Sequence, residues 1–216
     1  MHRTRIKICG VRDASAALAA AEAGADAVGL VFVEKSPRHV GITEAARIVA
    51  ALPPFVVPIG LFANASPNQV LQACEATGIY TVQLHGHETP QMLDELVGLR
   101  VIKALPFSEN VTQQAAAWSR HHAVRGLLID TPPHPKAQLT GGSGEAFDWD
   151  ALSKDMPRFD KPVLLAGGLN ADNVAQAVQT VRPFAVDVSS GVESARGVKD
   201  IEQVKAFCDA VRGADG

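Results

Sequence analysis

Short runs of aliphatic and β-branched residues alternate along the chain with longer, Ala-rich stretches whose apolar positions recur at helical spacing. The short runs cover residues 5–9, 27–32, 56–62, 80–84, 100–104, 126–130, 162–166 and 184–188. Most are apolar throughout, which predicts parallel strands covered on both faces rather than an antiparallel sheet with one wet face. Helical patterns follow at 14–23, 43–51, 67–76, 90–96 and 170–181, and several open on a starting signal: Asp13, Thr43, Ser66-Pro67, Thr89-Pro90 and Asn170.

Eight strand–helix units result. The predicted strand ends at Cys9, Phe32, Phe62, Leu84, Ala104, Asp130, Ala166 and Val188 fall 20 to 30 residues apart, except for the 36 residues from Asp130 to Ala166. That beat predicts an α/β protein, a (β/α)8 TIM barrel, with residues 1–216 as a single domain. A doubly wound open sheet is the structural rival, but no GxGxxG follows the first strand, where a nucleotide-binding sheet would carry one. The long step after Asp130 holds Thr131-Pro132-Pro133-His134-Pro135 and Gly141-Gly142-Ser143-Gly144. It reads either as a lid over the site or as a tolerated surface insertion.

Composition narrows the function. Twenty Lys and Arg against 23 Asp and Glu give a net charge of −3 without a basic run, so no nucleic-acid partner is expected. No apolar stretch approaches the roughly 20 residues of a membrane helix, and the start lacks a signal sequence, so the expected place is cytoplasmic, with no membrane partner. Cys9, Cys74 and Cys208 are odd in number and far apart, which predicts neither a disulfide frame nor a metal site.

In a barrel the strand ends converge on one rim, and here they carry Cys9-Gly10, Gln83-Leu84-His85-Gly86, Asp130 and Asp187-Val188-Ser189-Ser190-Gly191. Cys9 alone is a small buried hydrophobe as readily as a reactive thiol, and Asp130 could merely cap the next turn. Placed together on separate strands, they supply a thiol and a carboxylic acid able to take one proton and deliver another, the division of labour an isomerase needs. Gly167-Gly168 after the seventh strand and Ser189-Ser190-Gly191 after the eighth are small-residue loops at the two positions where barrels often hold a phosphate. The basic loop Lys35-Ser36-Pro37-Arg38 reaches the same rim. Lys7 shares the strand parity of Cys9 and should point inward toward Asp187, either as a purely structural ion pair or as a cation that lowers the Cys9 thiol pKa.

Lys7-Ile8-Cys9-Gly10, Gly29-Leu30-Val31-Phe32 with Ser36-Pro37-Arg38, Gln83-Leu84-His85-Gly86, Leu128-Ile129-Asp130, Gly141-Gly142-Ser143-Gly144 with Phe147-Asp148-Trp149, Ala166-Gly167-Gly168-Leu169-Asn170 and Asp187-Val188-Ser189-Ser190-Gly191-Val192-Glu193 together resemble the phosphoribosylanthranilate isomerases of tryptophan synthesis. The resemblance runs from Ile6 to about Lys199. It implies a cofactor-free Amadori rearrangement of a small phosphosugar, N-(5-phosphoribosyl)anthranilate, to the 1-deoxyribulose 5-phosphate aminoketose. It further implies Asp130 as general acid, Cys9 as general base, Arg38 against the anthranilate carboxylate, and a phosphate held by Gly167, Gly168, Ser189, Ser190 and Gly191. His85 and Gly142 are expected to contact substrate, and the protein to act as a monomer or homodimer. Two rivals stand beside this reading. The isomerase of histidine synthesis resembles a two-carboxylate site with Asp where Cys9 stands, and a non-catalytic phosphate-binding barrel would use Cys9 and Asp130 for packing.

Overall fold

A computed structural model describes residues 3–132 and 147–215. Eight parallel strands, β1 (Arg5–Cys9), β2 (Ala27–Val31), β3 (Val57–Phe62), β4 (Thr81–Leu84), β5 (Arg100–Pro106), β6 (Val124–Asp130), β7 (Val163–Leu165) and β8 (Ala185–Val188), close into a barrel in sequence order. β8 returns to pair with β1, setting Lys7 beside Asp187. Helices α1 (Ala14–Glu22), α2 (Ile42–Ala51), α3 (Pro67–Thr77), α4 (Val111–Ser119), α5 (Trp149–Asp155), α6 (Val174–Val181) and α7 (Ile201–Ala214) cover the outside. The expected (β/α)8 TIM barrel is the fold.

The starting signals act unequally. Asp13 accepts the backbone N–H of Ala16, and Ser66 and Gln69 form a reciprocal capping box at the start of α3. Thr89-Pro90 opens a 3-10 turn, Pro90–Asp94, instead of the expected α-helix. Its one buried residue is Leu93. Asn170 does not begin α6 either. Its side chain accepts the N–H groups of Asp172 and Asn173, while Asn173 takes the N–H of Asn170 and donates to the Gly168 carbonyl, so the helix starts later, at Val174.

Strand alternation divides the core in two. Outward residues such as Ile6, Ile8, Val28 and Leu30 pack under the helices, whereas Ile59, Ile102, Ala104, Leu128, Leu164, Ala166 and Ala185 fill the interior. Lys7, Cys9, Gln83, Asp130 and Asp187 share that inward parity and are all buried, so the apolar plug gives way to polar side chains toward the carboxyl ends of the strands. After β8 comes a feature the sequence pattern did not predict, a small antiparallel hairpin of β9 (Glu193–Ala195) and β10 (Val198–Lys199) that folds back toward the rim.

Candidate active site

A cavity opens at the carboxyl end of the barrel, the face where barrels of this kind place their chemistry. Of the residues expected to form a site, Cys9, Arg38, His85, Asp130, Gly167, Gly168, Ser189 and Ser190 line it. Gly191 is not in the lining and packs against the Leu169 carbonyl behind it. Gly142, and with it most of the long segment after Asp130 read as a lid or a surface insertion, falls in 133–146, outside the described residues.

Cys9 ends β1 with 5% of its surface exposed and sits above Lys7. Lys7 Nζ donates to Asp187 Oδ1 at 2.8 Å, with the two side chains 2% and 8% exposed. Burial alone would lower the Lys7 pKa, but Asp187 and Cys9 outweigh it and hold the ammonium above its ordinary value. Burial pushes the Asp187 carboxyl up, with Lys7 opposing. Lys7 also pulls the Cys9 thiol down, as the sequence led us to expect, but burial dominates and the net displacement is upward. One ammonium therefore serves two acids, Asp187 and Cys9, that compete for its charge. The neighbouring strand leaves room for this group because residue 29 is glycine: a Cβ there would lie 2.8 Å from Cys9 Sγ and 3.0 Å from Lys7 Nζ.

Asp130 ends β6 with 7% of its surface exposed. Oδ1 accepts the Thr131 N–H at 2.8 Å, and Oδ2 lies 3.2 Å from His85 Nε2. His85 Nδ1 lies 3.0 Å from Gln83 Nε2. Gly167, at φ +87°, leaves space for this carboxyl, since a Cβ would run into Thr131 and come within 3.0 Å of Asp130 Oδ1.

Arg38 comes from the loop after β2 and binds Glu193 through two bonds, Nε to Oε1 at 2.7 Å and Nη2 to Oε2 at 3.0 Å. Lys199 Nζ donates to Glu193 Oε1 and to the Ser189 carbonyl, each at 2.8 Å, and Gly197 N–H donates to Glu193 Oε2 at 3.1 Å. Burial would raise the Glu193 pKa, yet Arg38 and Lys199 hold the carboxyl below the usual range. Two cations around one carboxylate leave a surplus of one positive charge beside the cavity, and the guanidinium retains donors that Glu193 does not use. Ser189 Oγ donates to the Cys9 carbonyl at 3.1 Å, tying the eighth loop to the end of the first strand.

Sequence reasoning gave no role to Gln83, Glu193, Lys199 or Arg196. Gln83 and Arg196 line the cavity, while Glu193 and Lys199 come from the hairpin. Gly197, which takes up φ +83° between the two short strands, was the available turn signal. Among the described residues, no group of three or more His, Cys, Asp or Glu side chains is placed to hold a metal ion.

The family model for N-(5'-phosphoribosyl)anthranilate (PRA) isomerase matches residues 6–210. The N-(5'-phosphoribosyl)anthranilate isomerase of Pseudomonas syringae pv. tomato is 47% identical over 213 residues, which are 99% of this chain and 100% of the relative. The crystal structure of phosphoribosyl anthranilate isomerase from Thermotoga maritima superposes with a TM-score of 0.88 at 40% identity, covering 97% of this chain and 99% of that one. A crystal structure of a phosphoribosyl anthranilate isomerase in complex with reduced 1-(o-carboxyphenylamino)-1-deoxyribulose 5-phosphate superposes with a TM-score of 0.84 at 38% identity, with the same coverage.

Proposed function

We propose that this chain, which belongs to the N-(5'-phosphoribosyl)anthranilate isomerase family, catalyses the Amadori rearrangement of N-(5-phosphoribosyl)anthranilate to 1-(2-carboxyphenylamino)-1-deoxyribulose 5-phosphate in tryptophan synthesis. The observation that carries the mechanism is that Cys9 at the end of β1 and Asp130 at the end of β6 line one cavity whose wall also includes Gly167, Gly168, Ser189 and Ser190. Asp130 delivers a proton to the furanose ring oxygen as its bond to C1′ breaks, leaving a protonated imine. That iminium acidifies the C2′ proton, and Cys9 takes it as thiolate, Lys7 being the nearby cation that favours this form. Tautomerism of the enol then gives the ketone.

Binding follows the same layout. The substrate phosphate lies between the loops after β7 and β8, and the anthranilate carboxylate meets Arg38, whose planar fork suits a planar anion. We place the reaction in the cytoplasm, in keeping with composition and with a biosynthetic role. Among the described residues no helix is long and apolar enough to cross a membrane.

The test is steady-state kinetics of three variants. Cys9→Ser and Asp130→Asn are each expected to lower kcat by about 10²-fold or more with KM changed far less. Arg38→Ala is expected to raise KM first. Unaltered turnover in Cys9→Ser or Asp130→Asn removes that residue from the mechanism, and an Arg38→Ala enzyme that loses kcat without loss of binding ends the carboxylate assignment.

A further inference from the structure

Gln83 lies in β4 with its side chain inside the barrel and fully buried. Its Nε2 faces His85 Nδ1 at 3.0 Å, and the far nitrogen of that ring, Nε2, lies 3.2 Å from Asp130 Oδ2. All three residues line the cavity. With the amide nitrogen toward the ring, Nδ1 is the acceptor and the proton of a neutral imidazole sits on Nε2. Nε2–H then points a donor at the carboxyl assigned as the acid.

We propose that Gln83 is a positioning residue that holds His85 in the Nε2–H tautomer, so that Asp130 gives up its proton next to a donor already in place. The inference rests on the reading of Asp130 as general acid. When the Asp130 O–H bond breaks, its proton goes to the ring oxygen of the substrate and its electron pair stays on the carboxylate. That carboxylate is then met by Thr131 N–H at Oδ1 and by His85 Nε2–H at Oδ2. His85 keeps its proton throughout and acts through Asp130, not on the sugar.

The orientation of the amide decides the outcome. Turned over, its oxygen would accept Nδ1–H, Nε2 would present a lone pair, and the newly formed carboxylate would face that lone pair instead of a donor. In the observed orientation Gln83 Oε1 is buried with no hydrogen-bond partner among the described residues. A hydroxyl group of the bound sugar can supply the missing donor, and doing so would hold the amide as it stands.

The experiment is 15N NMR of histidine-labelled enzyme above about pH 8.5, where imidazoles are neutral, with His85→Asn assigning the signals. Wild type should show His85 protonated at Nε2. Gln83→Met, which keeps length without a donor, should show mixed tautomers and a kcat about tenfold lower with KM within about twofold. Gln83→Glu, whose carboxylate accepts Nδ1–H, should shift the neutral ring to the Nδ1–H tautomer and lower kcat further. A wild-type ring protonated at Nδ1, or a Gln83→Met enzyme with tautomer and kcat unchanged, overturns the inference while Asp130 stands. Full turnover in Asp130→Asn overturns the acid assignment itself, whatever the tautomer.

Discussion

Two buried ion pairs of the same chemistry sit on different sides of the barrel wall, and their surroundings set them apart. Lys103 on β5 points outward and binds Glu88 at 2.6 Å, with both side chains almost wholly buried. Glu88 also accepts the N–H groups of Asn64 and Gly86, while Lys103 donates to the Gly86 carbonyl and lies over the Trp118 ring. Burial would raise the Glu88 pKa, but Lys103 and backbone N–H groups, that of Asn64 among them, hold the carboxyl below its usual range. Its charged form is favoured, and it braces the loops after β3 and β4. Lys7–Asp187 inside the barrel has Cys9 as its third member, and there the carboxyl is pushed up. A carboxylate surrounded by donors is a structural part, whereas one that shares a cation with a thiol can change its protonation.

The strongest way to break this contrast is to delete each lysine. Lys103→Met leaves Glu88 buried without its cation and should destabilise the fold by about 3–5 kcal/mol in urea unfolding, with kcat of the folded enzyme nearly unchanged. Lys7→Met should instead lower kcat by about 10²-fold, because the Cys9 thiol loses the cation that opposes burial. Its stability cost should be smaller, since Asp187 can take a proton. Equal stability losses with no difference in kcat would erase the distinction.

Gly29→Ala sharpens the comparison from the other direction. The added methyl crowds Cys9 Sγ and Lys7 Nζ together, and a cost of about 1–3 kcal/mol is expected along with reduced turnover. A fully active, fully stable alanine variant would show that this group tolerates displacement.

The smallest expected effect is in the pH dependence of stability, and here the two carboxyls should differ in sign. The Glu88 pKa is lowered on folding, so its contribution is fully present above its unfolded value of about 4.3 and is lost as pH falls through the folded value. The Asp187 pKa is raised, so its contribution is present below about 3.9 and is lost as pH rises through the folded value. Between about pH 3 and 7, Glu88→Gln should therefore flatten the rise of unfolding free energy with pH, and Asp187→Asn should steepen it. Slopes shifting the same way would refute the assignment.

Most of the barrel was legible in the sequence because its signals are local. Continuous apolar runs at a regular beat require strands covered on both faces, and parity along β1 alone put Lys7 and Cys9 on the inner side. What escaped was set by distant partners. Arg38 and Glu193 are 155 positions apart, and no spacing within either segment indicates that they meet. The start of α6 moved because Asn170 and Asn173 bond to each other's backbone, a choice that helix periodicity does not register. Pro90 was a valid starting signal whose segment was too short for more than a 3-10 turn. Gln83 was read at the rim, within Gln83-Leu84-His85-Gly86, but nothing in the sequence indicated that its amide would face the His85 ring.

The closure of β8 onto β1 has a consequence for biosynthesis on the ribosome. Lys7 emerges 180 residues ahead of Asp187, the residue that neutralises it. At about 5–20 residues per second, the ammonium waits on the order of ten seconds or more without its counter-ion. An unpaired cation resists dehydration, so the first strand is kept from burying prematurely in a half-made sheet. The pocket around the thiol takes part of its wall, Asp187 to Ser190, from that last strand and the loop behind it.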